Sequence, residues 1–169
     1  MRKLFETISE EELKKVMNAT KLHKYKLAFA LGFYQCMRVS EVAKLRSDNV
    51  NKDLKLLYIK QAKGHKDRNI PIAKEVFGGL RHLPCGSDKS KDFGIRAIQY
   101  AFNKATEKAL GKKLNFHILR HSGITFYLTK RKWNTLQVQR LAGHSKSSIT
   151  EIYTHINPED LVEQMWDRN

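Results

Sequence analysis

The chain has 169 residues, with 32 Lys and Arg against 17 Asp and Glu, and so a formal net charge of +15. Hydrophobic residues make up 41%, enough for one domain with its own core, and charges of both signs are interspersed, which excludes a disordered basic tail. The longest apolar run, Leu27–Tyr34, is far short of the roughly 20 residues of a membrane-spanning helix. The start of the chain lacks the apolar stretch of a secretory signal. Its two cysteines, Cys36 and Cys85, make neither a disulfide framework nor a multi-cysteine zinc site. The expectation is a soluble intracellular domain whose positive field suits a polyanion, nucleic acid first.

Ser9 and Glu12 form a capping box ahead of Leu13, Val16 and Met17, which predicts a first helix over Ser9–Ala19. A second, apolar helix is expected over Tyr25–Cys36 and a short one over Ser40–Leu45, ending at Asp48-Asn49. Leu56–Ile59 and Asn69–Ile72 read as strands of a β-hairpin joined by a polar turn around Gly64. Lys74–Leu83 is weakly helical, with Gly78-Gly79 inside it, and Pro84–Ser87 breaks it. Ile95, Ile98, Phe102, Ala105 and Ala109 recur at helical spacing within a helix over Lys91–Leu110. Helices are expected over His117–Thr129 and Asn134–Leu141, the latter stopped by Gly143. A helical turn over Ser147–Thr154 follows, then a last helix from Asn157-Pro158 to about Trp166. The whole is an α+β domain, mainly helical, with a small antiparallel sheet.

The polar residues that stand out suit phosphoryl chemistry on a polyanion. Guanidinium groups present paired donors to non-bridging phosphate oxygens. Arg38, in Met37-Arg-Val-Ser-Glu41, precedes a helix N-terminus, where its charge and the helix dipole favour the same anion. His117 and Arg120 are three residues apart and share a helix face. His144 follows a glycine helix stop, and Tyr153 lies nine residues beyond it. His117 and His121 also have zinc-ligand spacing, but Arg120 between them argues against a metal.

In this order the segments resemble the phage-integrase-type tyrosine recombinases. That family's catalytic domain carries a Met-Arg-x-Ser-Glu box, a hairpin lysine, a His-x-Leu-Arg-His box, a Leu-x-Gly-His-Ser box and a Tyr-Thr-His segment. All five occur here, from Arg38 to Tyr153. The resemblance implies the tyrosine-recombinase catalytic fold over residues 1–169 and site-specific recombination or integration of DNA. Tyr153 would attack the scissile phosphate and form a 3′-phosphotyrosyl bond, which keeps the bond energy for religation without ATP. Arg38 and Arg120 would clamp the non-bridging oxygens, His144 would donate to them, and His117 would bond the phosphate and help take the tyrosine proton. Lys63 of the hairpin would be the general acid, with Lys66 the alternative. Lys66, Arg68 and Lys146 would contact the DNA backbone. Glu41 and His121 would support the site from behind.

No cofactor, metal, membrane or small-molecule substrate is implied. The implied partners are double-stranded DNA and, for a full-length protein, further copies in a synaptic tetramer, in the cytoplasm or at the nucleoid. The family's separate N-terminal DNA-binding domain is expected to be absent, since catalytic-domain sequence begins within the first ten or so residues. The apolar stripe Leu161, Val162, Met165 and Trp166 would dock the last helix on its own core or on a neighbouring copy. Type IB topoisomerase-like nicking and closing is the rival reading within the same chemistry. A catalytically silent DNA-binding regulator is the rival outside it. Taken singly, each residue also has an ordinary explanation: Arg38 an exposed ion pair with Glu41, the hairpin a solvated turn, Tyr153 a half-buried surface tyrosine, Cys36 a buried thiol.

Overall fold

The structure is a computed structural model that describes residues 6–60, 66–143 and 158–167. Helix α1 (Glu10–Asn18) opens on the expected capping box: Ser9 Oγ accepts from the Glu12 N–H, and the Glu12 carboxylate accepts from the Ser9 N–H at 2.8 Å. Helix α2 (His23–Tyr34) begins two residues earlier than expected, and every residue from Leu27 to Tyr34 is buried. It is the central helix, contacted by α1, α3 (Val39–Lys44), α4 (Lys74–Phe77), α5 (Ile95–Leu110) and α6 (His117–Thr129). A helix covered all round has no polar face, hence its unbroken apolar run. It ends before Cys36, which has φ +51° and turns the chain toward α3.

The sheet is antiparallel in the order β1 (Val50–Asn51), β2 (Leu56–Ile59), β3 (Arg68–Pro71). Leu57 pairs with Ile70 and Ile59 with Arg68, so the expected hairpin forms with β3 starting one residue early. Strand β1 is an addition, since two residues are too few to carry a hydrophobic period. The weak helix expected over Lys74–Leu83 is α4 followed by a 3₁₀ turn, Gly78–His82. Helix α5 starts at Ile95 rather than Lys91. The Asp92 carboxylate accepts from the N–H groups of Gly94 and Arg96 and caps the helix there. Asn134 caps α7 (Thr135–Ala142), which stops at Gly143 with φ +69°. The expected turn over Ser147–Thr154 and the Asn157 cap lie outside the described residues.

Helix α8 (Pro158–Asp167) lies on β2 and β3 of its own chain. Leu161 and Met165 are buried, Trp166 Nε1 donates to the Ile72 carbonyl at 3.0 Å, and Phe77 meets the indole edge-on. Lys55 Nζ sits 3.9 Å from the indole centroid, a cation–π contact on the outer side. Among the described residues no helix is long and apolar enough to cross a membrane.

The contact between α2 and α6 sets the site. A Cβ on Gly123 would fall 2.0 Å from the Phe33 carbonyl oxygen, and one on Gly32 would fall 2.9 Å from the Phe116 ring. Only glycine permits so close a crossing. It brings the end of α2 beside α6 one turn from Arg120.

Candidate active site

Arg38 is the residue before α3, with extended backbone (φ −71°, ψ 152°). Glu41, one turn into the helix, reaches back to accept the Arg38 N–H at 2.9 Å, and its Oε1 accepts from Arg38 Nη1 at 3.3 Å. The carboxylate thus fixes both the backbone and the side chain of the arginine. The Arg38 side chain is 38% exposed while that of Glu41 is 6% exposed, so the guanidinium faces outward from a buried anchor.

Arg120 is 3% exposed. Its Nη1 donates to the carbonyl of Cys36 at 2.6 Å and to that of Ala142 at 2.7 Å. One nitrogen therefore joins the turn after α2 to the end of α7, whose last carbonyls have no partner within the helix. The other, Nη2, is buried and has no hydrogen-bond partner among the described residues. Burial and the Arg38 charge pull the Arg120 pKa down to about 10, which still leaves it a cation at neutral pH. A buried, unpaired donor on a fixed cation is a site prepared for an anion.

Arg68 is the residue expected as a DNA-backbone contact. Its side chain is instead 9% exposed and donates to both oxygens of Glu41, from Nη1 at 3.0 Å and from Nη2 at 3.3 Å. Burial by itself would raise the Glu41 carboxyl. The Arg68 charge and hydrogen bonds, with the Arg38 N–H and charge, outweigh it and hold the group below the usual carboxylate range. Two guanidinium groups, those of Arg38 and Arg68, thus share one carboxylate.

His117 opens α6, with its N–H bonded to the Asn115 side chain. Its ring meets that of His121 edge-on at 4.5 Å. Burial, then the neighbouring His121, Arg120 and Arg38, push the His117 imidazole below its ordinary pKa, so it is neutral at pH 7. Lys66 is exposed at the end of the hairpin. Lys63, His144, Lys146 and Tyr153 lie outside the described residues. Among the described residues no three His, Cys, Asp or Glu side chains are grouped to hold a metal ion.

Sequence reasoning missed two residues that support the site. Gln35 is fully buried, donates from Nε2 to the Pro71 carbonyl at 2.8 Å and accepts from the Ala73 N–H at 2.5 Å, tying the end of α2 to β3. The signal was an amide directly after a wholly apolar run, where an unpaired polar group would be costly. Ser122 accepts from the Ile8 N–H at 2.9 Å and donates to the Ile118 carbonyl at 2.6 Å, fastening α6 to the segment ahead of α1.

Comparison with known proteins gives these contacts a family. Residues 6–160 match the phage integrase family. The chain is 30% identical over 174 residues to the tyrosine recombinase XerA of Pyrococcus horikoshii, covering 96% of this chain and 61% of that one. It therefore spans about three-fifths of that relative's length. Its fold is similar to that of an integrase from mycobacterium phage Brujita, with a TM-score of 0.79 at 19% identity, covering 98% of this chain and 58% of that one. It is also similar to a lambda integrase solved as a tetramer bound to a Holliday junction, with a TM-score of 0.61 at 19% identity, covering 85% of this chain and 48% of that one. The Arg38, His117 and Arg120 boxes all fall inside the matched span, and the chain belongs to the phage integrase family, the tyrosine recombinases.

Proposed function

We propose that this domain cuts and rejoins DNA in site-specific recombination, with Tyr153 as the nucleophile. The observation that carries the reading is the half-satisfied guanidinium of Arg120: Nη1 is fixed by two carbonyls while Nη2 is buried without a partner among the described residues, beside Arg38 on its Glu41 anchor. Two such cations match the two non-bridging oxygens of a phosphodiester, whose charge grows as the phosphorus becomes pentacoordinate.

In the proposed step the Tyr153 oxygen attacks phosphorus and the 5′ oxygen leaves, so one P–O bond forms as another breaks. The tyrosine proton passes to His117, which is neutral at working pH. The leaving alkoxide takes a proton from Lys63, with Lys66 the alternative donor. Arg38 and Arg120 hold the non-bridging oxygens, and His144 donates a further hydrogen bond. Attack by a 5′-hydroxyl on the phosphotyrosyl bond reverses the step, which makes strand exchange possible without an energy source.

Double-stranded DNA is the proposed partner. The lambda integrase tetramer on a Holliday junction supports an assembly of several copies on crossing strands. The net charge of +15 gives the attraction, with Lys66 and Lys146 as backbone contacts. Nicked suicide duplexes with a randomised core, incubated with EDTA present, test the reading. An SDS-resistant protein–DNA adduct is expected from the wild type and none from Tyr153→Phe. An adduct that survives Tyr153→Phe refutes the nucleophile.

A further inference from the structure

We infer that Arg68 is a positioning residue that acts through Glu41 and Gly143, joining the hairpin to the two segments that carry Arg38 and His144. The inference rests on the reading of the site as a phosphodiester-cleaving centre.

Three observations support it. Arg68 makes a two-point bond to the Glu41 carboxylate, and the same carboxylate holds Arg38 by its N–H and its guanidinium. The side chain is almost fully buried, so it is not deployed outward as a contact for a distant phosphate. Its guanidinium also lies against Gly143, where a Cβ would fall 2.6 Å from Cζ and 2.8 Å from Nε. Position 143 is the helix stop directly before His144. Strand β3 carries Arg68 only a few residues past the hairpin turn with Lys63 and Lys66. One guanidinium therefore bridges the α3 start, the α7 stop and the hairpin strand.

The charge arrangement explains why the residue is arginine. Glu41 is bonded to Arg38 at its own helix start and to Arg68 from β3, and its charge is felt by Arg120 on α6. Arg38 reaches this carboxylate through one side-chain bond, at 3.3 Å. The planar fork of Arg68 takes both oxygens in a fixed orientation, which a lysine ammonium cannot do. With Glu41 fixed, Arg38 needs no search for its working position, and small misplacements of such groups are costly to rate.

A surface phosphate contact and a positioning residue differ in what they alter. Arg68→Met and Arg68→Lys are compared with wild type on the nicked duplexes, with folding checked by circular dichroism. A positioning role requires cleavage at saturating protein to slow by about 10- to 100-fold, with DNA affinity and its salt dependence nearly unchanged. Arg68→Lys, which keeps the charge, should recover little. Weaker binding, a log–log salt slope reduced by about 1 and an unchanged saturating rate would overturn the inference and return Arg68 to the DNA surface.

A second measurement does not depend on activity. The Glu41 carboxyl carbon is followed by NMR through an acid titration. Losing Arg68 removes the strongest influence favouring the charged carboxylate, so the Glu41 midpoint should move to higher pH in Arg68→Met. An unmoved midpoint overturns the inference even if no adduct ever forms. A moved midpoint with no wild-type adduct keeps the Arg68–Glu41 unit and removes the cleavage reading.

Discussion

The guanidinium of Arg68 lies against the α-carbon of Gly143, so close that a Cβ at position 143 would sit 2.6 Å from Arg68 Cζ. Gly143 also has φ +69°, a left-handed conformation that costs a residue with a Cβ roughly 1–2 kcal/mol. Gly143→Ala meets both problems. We expect it to lower stability by about 2–4 kcal/mol in urea unfolding. Adding Arg68→Ala should relieve the contact but not the backbone strain, so the double variant should be more stable than the sum of its parts implies. Strict additivity would place the guanidinium away from the glycine.

Arg120 is built into the fold as well as into the site. Arg120→Ala strands the Cys36 and Ala142 carbonyls, both accepting from one nitrogen. Adduct formation should slow by about 100- to 1000-fold, the scale of losing one oxyanion donor. Arg38→Ala should slow it comparably but cost less stability, because the Arg38 side chain is partly exposed and, among the described residues, its guanidinium bonds to Glu41 and ties no two elements together. Urea unfolding of the two variants separates them. Equal stability losses would refute a structural role for Arg120 in joining the turn after α2 to the end of α7.

Much of this site is legible in the sequence, and the parts that are not have physical reasons. The Ser9–Glu12 box and the Asn134 and Gly143 caps rest on local hydrogen bonds that short motifs encode. His117 and Arg120 share a face because helix periodicity requires it. The charge of Arg68 points to a DNA-backbone contact, whereas strand parity points inward. Arg68 alternates with Ile70, which is fully buried, and pairs with buried Ile59, so its side chain starts on the inward face. The Gly32 and Gly123 crossing has no local signature, since it depends on two helices meeting in space.

The His117 imidazole has its pKa lowered by burial and by the positive neighbours His121, Arg120 and Arg38. Removing a cation from this set must raise it. In an NMR titration of the ring protons, we expect the wild-type midpoint below the ordinary histidine value of about 6.5, and a higher midpoint in Arg38→Ala. The sign for stability follows. A histidine whose folded pKa is depressed adds stability above its unfolded pKa and loses it as pH falls through the folded value. A midpoint that Arg38→Ala leaves in place would show that His117 and Arg38 do not share one field.

Arg38 and Arg68 on the Glu41 carboxylate, with Arg120 within reach of their charges, leave local positive charge in excess, and Arg120 Nη2 has no partner among the described residues. Such a cluster repels itself until an anion enters. Inorganic phosphate should therefore raise the melting temperature more than sodium chloride of equal ionic strength. The gain follows the ligand concentration, reaching about 2.7 kcal/mol at one hundred times Kd. Arg38→Ala and Arg120→Ala should each shrink the gain, whereas Arg96→Ala, on the exposed start of α5, should leave it intact. If chloride stabilises the protein as well as phosphate does, only general screening is at work. If Arg96→Ala shrinks the gain as much as Arg38→Ala does, the ion is bound elsewhere. The remaining result, a phosphate gain that depends on Arg38 and Arg120, ties the anion to these two arginines without any DNA being present.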